Sequence, residues 1–276
     1  MTFKTVMVHM KLGQGNSDLL QITSSLAARF GARVVGIAAC SPTAVVYSDG
    51  YAPGIFVEQD RDEINREIKA AETEFFGSFQ NWAGGAEWRS AVIYETVATY
   101  VSRESRSSDL VITSGRSFDP DDTARPEKPG DIVMQSGRPV LVVPRKVETV
   151  SIDRMAVAWK NTREARRAIA DALPLLRLAQ HVTILEIAHE DEQKRVSEQI
   201  TDVCGWLKTH NIEAEPKFVA SAKGDESYQL NFAIEALRAN IVVAGAYGHS
   251  RLREWALGGV TRDLMVQANY CTMLSH

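Results

Sequence analysis

Short apolar runs alternate with longer amphipathic stretches along the whole chain, and the alternation occurs twice. Val6-Met-Val-His-Met-Lys11 and Met155-Ala-Val-Ala-Trp-Lys160 are strand patterns that end in lysine, and a helix pattern follows each. In the second copy that helix starts near Asn161-Thr162, residue types that cap helix N-termini well. Ala165, Ile169, Ala172, Leu173 and Leu176 then recur at helical spacing. Second strands are predicted over 33–38 and 181–187, long amphipathic helices over 60–79 and 191–210, and weaker third strands over 87–91 and 215–219. Helices follow over 95–106 and 228–238, with fourth strands over 108–113 and 239–244. Short helices containing Asp131-Ile-Val-Met-Gln135 and Asp263-Leu-Met-Val-Gln267 lead to fifth strands over 139–143 and 271–274.

Each half therefore reads β-α-β-α-β-α-β-α-β. Continuously apolar strands alternating with amphipathic helices imply parallel sheets covered on both faces. The predicted fold class is α/β, with two tandem open parallel five-stranded sheets. The join falls near the charged segment 144–150, giving units of 1–146 and 151–276. The fifth strand of the second unit stops at Leu274-Ser-His276, so a short sheet edge is expected there.

One segment carries candidate chemistry. Gly245-Ala-Tyr-Gly248 follows the fourth strand of the second half, and nine residues separate Gly248 from the pair Gly258-Gly259, with Thr261 just before a helix pattern. Glycines let the backbone approach a ligand without a Cβ in the way. A helix start adds free N–H groups and the positive end of a dipole. Together these describe a backbone cradle for phosphate. It is not a P-loop, because no Gly-Lys-Ser/Thr closes it, and it is not the dinucleotide fingerprint. Ligands on open parallel sheets bind beyond the carboxyl ends of the strands, where this segment lies.

Composition narrows the function classes. The formal charge is −4, shared as 16 Lys+Arg against 18 Asp+Glu in residues 1–146 and 15 against 17 in 147–276. Neither half has the basic footprint that a nucleic acid or an anionic membrane requires. Cys40, Cys204 and Cys271 are too few and scattered for a disulfide framework, and each reads as a small buried hydrophobe in a reducing compartment. The opening residues enter a strand pattern with no basic-then-apolar leader, and no run reaches the length of a membrane span. A cytoplasmic location is expected.

The two-fold β-α repeat, the pattern Gly245-x-x-Gly248-x9-Gly258-Gly259-Val-Thr261 and the strand Val157-Ala-Trp-Lys160 resemble the universal stress protein family, and more narrowly its tandem members. The resemblance covers essentially the whole chain. It implies strand order 3-2-1-4-5 in each half, pairing of the two halves through their fifth strands, and ATP, ADP or AMP in the switch-point crevice, with Mg accompanying the nucleotide. Carried over by position, Gly245, Gly248, Gly258, Gly259 and Thr261 would hold ribose and phosphates. Ala244, Tyr247 and Val260 would line the same pocket. Ala158, Trp159 and Lys160 would border adenine and ribose, and Ile187 would meet adenine edges through its backbone. His249, within the glycine run, is a candidate phosphate donor, as are Arg251 and Arg253. A homodimer and a further protein partner are compatible with the resemblance.

Two positions depart from the family pattern. Its nucleotide binders usually carry an acidic residue where Lys160 stands, and lysine offers only donors. Gly259 replaces the usual Ser/Thr and removes one hydroxyl. The first half departs further. Ser114 and Ser117 stand opposite Gly245 and Gly248, and the acidic, proline-rich loop with Asp119, Asp121 and Asp122 lacks the second glycine pair. This half is expected to bind no nucleotide. The connection 42–54, with Tyr47, Tyr51, Ile55 and Phe56 in or just after it, is a candidate lid or interaction segment.

No catalytic triad is visible, since Ser250 lacks a nucleophile-elbow context and a base partner. The six histidines show no metal-ligand spacing. Glu254 is the one acid in the glycine loop, so at most slow ATP hydrolysis is expected. The expected function is a stress-response regulatory protein that binds adenine nucleotide in its second half. The alternative is a scaffold of the same fold with a vestigial site.

Overall fold

The computed structural model describes residues 2–42, 54–115, 129–144, 147, 150–221, 226–246 and 270–276, with side chains from residue 58 onward in the second stretch. The first half runs β1 (Thr5–His9), α1 (Ser17–Phe30), β2 (Arg33–Cys40), α2 (Gly54–Phe79), β3 (Ala86–Val92), α3 (Val97–Glu104), β4 (Leu110–Ser114), α4 (Pro129–Ser136) and β5 (Val140–Val143). The second half repeats this with β6 (Arg154–Ala158), α5 (Arg163–Leu176), β7 (His181–Ala188), α6 (Gln193–Thr209), β8 (Ala214–Ala220), α7 (Glu226–Leu237), β9 (Ile241–Gly245) and β10 (Cys271–Ser275). The helix predicted over Asp263–Gln267 lies outside the described residues.

Local chemistry sets the element ends. Thr162 caps α5, its hydroxyl accepting from Ala165 N at 3.3 Å, and the predicted stripe Ala165, Ile169, Ala172, Leu173, Leu176 is buried. Gly31 ends α1 in the left-handed region (φ 59°), where its N–H reaches the last carbonyls of the helix at no Cβ penalty.

The strands form one ten-stranded sheet in the order β3-β2-β1-β4-β5-β10-β9-β6-β7-β8. Each half has the order 3-2-1-4-5, as the resemblance implies. The two five-stranded sheets join through their fifth strands, the pairing that the resemblance implies. β5 and β10 pair antiparallel, Leu141 opposite Met273, while the other strand pairs are parallel. The seam is short, Thr272–Leu274 against Val140–Val142, and β10 lies mid-sheet between β5 and β9 with its five residues buried. Two hydrogen-bonding partners, rather than length, stabilise it.

The true edges are β3 and β8, which explains why their sequence patterns are weak. Each has one strand neighbour and is half-exposed. Charge protects such an edge from further pairing, and on β3 Glu87 pairs with Arg33 and with Arg89. Alternation along the strands divides the core into two layers. Val8, Ile112, Val157, Ile184 and Val243 pack with α1, α2, α5 and α6 on one face. Met7, Val111, Leu185, Val242 and Ala244 pack with α3, α4 and α7 on the other. Cys40 and Cys271 are buried, and burial pushes the Cys271 thiol up to about 12. Cys204 departs from expectation, being only half-buried on α6.

Candidate functional site

In each half the strand order reverses between the first and fourth strands, β1 with β4 and β6 with β9. That reversal opens a crevice beyond the carboxyl ends, the usual ligand position on such sheets. The two crevices start from matching frames. Gly115 N donates to Val143 O at 2.8 Å, and its counterpart Ala246 N donates to Ser275 O at 2.9 Å.

The first crevice is bridged by the chain itself. Lys11, 4% exposed, crosses from the end of β1 and donates its Nζ to Gly115 O at 2.8 Å. Its backbone is held by Asn16, with Lys11 N to Asn16 Oδ1 and Asn16 Nδ2 to Lys11 O both at 3.0 Å. Asn16 N in turn donates to Glu74 on α2. Beneath this bridge His9 Nδ1 lies 3.1 Å from Thr113 Oγ1. Burial, and then the Lys11 charge, push the His9 imidazole down to about 3, so it is neutral at ordinary pH.

The second crevice lacks such a bridge among the described residues. Lys160, the counterpart of Lys11, is exposed. Ala246 O, the counterpart of Gly115 O, is met by His276 Nδ1 at 3.1 Å. Trp159 N donates to Leu185 O at 2.8 Å, continuing the parallel register in which Ala158 faces both Ala244 and Leu185. The Trp159 side chain, 7% exposed, belongs to the core layer of α5 and α6. Its Nε1 is buried and finds no hydrogen-bond partner among the described residues, and the same holds for Oε2 of Glu186 on β7. An unsatisfied buried polar group costs about 1–3 kcal/mol, so each orphan calls for an explanation. Burial pushes the Glu186 carboxyl up to about 7, with Arg195 and Lys160 opposing the rise and Glu192 adding to it.

Gly245 ends β9 beside the first turn of α5. A Cβ there would stand 2.5 Å from Ala165 N and 2.6 Å from Glu164 C. The missing side chain at this position thus admits a helix N-terminus, a packing role that the glycine pattern alone does not reveal.

The predicted site residues divide between the two faces of the sheet. Ala158, Ala244 and Ile187 point to the α7 layer, whereas Trp159 belongs to the α5–α6 layer and Gly245 meets α5. Ala158 and Ala244 are direct cross-strand partners, while Ile187 lies two residues past the Leu185 partner of Ala158. Tyr247, Gly248, His249, Gly258, Gly259, Val260 and Thr261 lie outside the described residues, as do Ser250, Arg251, Arg253 and Glu254. The same is true of Ser117, Asp119, Asp121, Asp122, Tyr47 and Tyr51, and of the side chains of Ile55 and Phe56. Sequence reasoning missed Glu186 and Lys11. A signal for Glu186 was available: an acid inside an apolar strand, at the position that Ala38 occupies in the first half.

No family model matches the sequence, and no curated protein matches it. Solved structures do match. A universal stress protein from Archaeoglobus fulgidus aligns with a TM-score of 0.70 at 12% identity, covering 98% of this chain and 97% of its own. The chain has the universal stress protein fold. Two proteins from Pseudomonas aeruginosa align over 99% of the chain: one provisionally assigned to universal stress proteins (TM-score 0.63, 12% identity, 93% of its own length) and one of unknown function (0.60, 10%, 92%). At these identities the likeness establishes the universal stress protein fold in its two-unit form. Among the described residues no helix is long and apolar enough to cross a membrane.

Proposed function

We propose that the chain is a tandem universal stress protein of units 1–146 and 151–276 whose second unit binds one adenine nucleotide, ATP, ADP or AMP, at the β6–β9 crevice. The first unit binds none. The supporting observation is the contrast between the crevices: a buried ammonium spans the first from Lys11 to Gly115 O, whereas the counterpart Lys160 is exposed. The glycine sequence that follows β9, Gly245 to Thr261, adds the phosphate-binding chemistry. Lys160 offers donors for a phosphate rather than an acceptor for the nucleoside. Any Mg would enter with the nucleotide phosphates, and no side chain is assigned a catalytic role.

Calorimetric titration of the nucleotide-stripped full chain with ATP, ADP and AMP tests this reading. One site per chain is expected, with a thermal shift on binding. Replacing Gly248 or Gly258 by valine should abolish it. Absence of heat and of any thermal shift at millimolar nucleotide would sink the proposal. The packing of Gly245 against α5 favours the second reading, a scaffold of the same fold, because it accounts for one glycine of the pattern without a ligand.

A further inference from the structure

Trp159 and Glu186 stand next to each other on neighbouring strands. The bond from Trp159 N to Leu185 O carries the β6–β7 register one step past Ala158, which puts Trp159 beside Glu186. Strand alternation turns both to the α5–α6 face, the side of Val157 and Ile184. Their exposures are 7% and 4%, and an indole N–H and a carboxyl oxygen are both left without partners among the described residues. The two are chemically complementary, one a donor and the other an acceptor, yet they do not bond to each other. The equivalent residues of the first half, Met10 and Ala38, are apolar and fully buried. The fold therefore does not need polar groups at these places, and of the two halves only the second has them.

We propose that Trp159 Nε1 and the Glu186 carboxyl form a polar subsite that takes a ligand group presenting an acceptor and a donor side by side. The inference rests on the adenine-nucleotide reading of the second half and deepens it. Two parts of such a ligand have this chemistry: the base edge, with a ring nitrogen beside the amino group, and a ribose hydroxyl. The charged groups acting on Glu186 are Lys160 after β6, Arg195 on α6 and Glu192 in the turn before α6. Burial outweighs the two cations and holds the carboxyl up to about 7, so it is ionised and accepting once the pH exceeds that value.

The test is calorimetry on the full chain with ATP, 2′-deoxyATP and the triphosphate of purine riboside, which lacks the amino group. The proteins are wild type, Trp159→Phe, Glu186→Gln and Glu186→Leu, each checked for folding by thermal denaturation. We expect Glu186→Leu and Trp159→Phe to weaken ATP binding about ten-fold each, and Glu186→Gln, which retains an acceptor, to weaken it less. Loss of affinity for the purine riboside analogue in wild type, absent in Glu186→Leu, identifies the base edge as the group held. The same pattern with 2′-deoxyATP identifies the ribose. Wild type that binds ATP with an affinity unchanged by every variant overturns the subsite alone, whatever happens to the melting temperature. Wild type that takes up no adenine nucleotide overturns the reading of the second half and the subsite with it.

Discussion

The two crevices differ in which polar side chains are buried at their strand ends. In the first half a lysine ammonium is buried against a strand-end carbonyl, Lys11 to Gly115 at 2.8 Å, and a neutral histidine is hydrogen-bonded beneath it. In the second half the matching lysine is exposed, and an indole nitrogen and a carboxyl oxygen remain without partners among the described residues. The backbone frames agree to within a tenth of an ångström in their closing bonds, 2.8 and 2.9 Å. One backbone plan thus supports a lysine-bridged crevice and one with no such bridge among the described residues, and side chains at a handful of strand ends make the difference.

The largest effect expected from this contrast is on acid stability. His9 has a folded pKa of about 3 against 6.5 unfolded, so its contribution is complete above pH 6.5 and is lost as the pH falls toward 3. The difference corresponds to about 4–5 kcal/mol over that window. Urea unfolding of wild type and His9→Gln at pH 7, 5 and 4 measures it, and wild type should lose about 3 kcal/mol relative to the variant between pH 7 and 4.

The second half should titrate with the opposite sign. Glu186 has a folded pKa of about 7 against 4.5, so it favours the folded state below pH 4.5, and that contribution is lost as the pH rises through 7. The expected loss, reduced by solvent screening from the full value of the shift, is about 1–2 kcal/mol. Wild type should therefore lose stability relative to Glu186→Gln as the pH rises from 5 to 8, the opposing His9 change being common to both proteins, and a difference between the two that does not vary with pH would remove the electrostatic half of the contrast.

Gly245→Ala places a Cβ against the backbone of Glu164 and Ala165. A destabilisation of about 2–3 kcal/mol is expected from overpacking that only a backbone shift can relieve. Ser114→Ala, at the matching position of the first half, should be nearly neutral, because the Ser114 Oγ is buried without a partner among the described residues. Equal effects at the two positions would show that the α5 contact is not the constraint.

The smallest effects separate the two lysines. Lys11→Met leaves Gly115 O without the bridging donor and should cost about 1–2 kcal/mol. Lys160→Met, at an exposed position, should change stability by less than about 0.5 kcal/mol. Thermal denaturation of both variants checks the pair. A larger loss at Lys160 than at Lys11 would invert the assignment of the bridged crevice.

Most elements were legible in the sequence because apolar periodicity records which face of a strand or helix is covered. The α5 stripe and the Thr162 cap are examples, being set by neighbours within a few residues. The third strands were faint for the same reason in reverse: β3 and β8 form the sheet edges, and half-exposed strands carry no continuous apolar run. Within the candidate site, Ala158, Trp159, Ala244 and Gly245 were readable from the strand ends. Their division between two faces of the sheet was not, because it depends on cross-strand register. The reason for glycine at 245 was equally hidden, since the atoms it accommodates belong to a helix some eighty residues earlier in the chain.

Local periodicity and spacing in the sequence set the twice-repeated α/β plan and the position of the glycine pattern after β9, whereas the strand order within each half came from the resemblance and not from periodicity. The packed fold alone settled that the paired fifth strands run antiparallel, that Lys11 is buried while Lys160 is exposed, and that Trp159, just past β6, stands beside Glu186 on β7. Those outcomes depend on which distant groups pack together and exclude water. The free energy of a polar atom is set by that environment, so the residue's identity and spacing cannot disclose it.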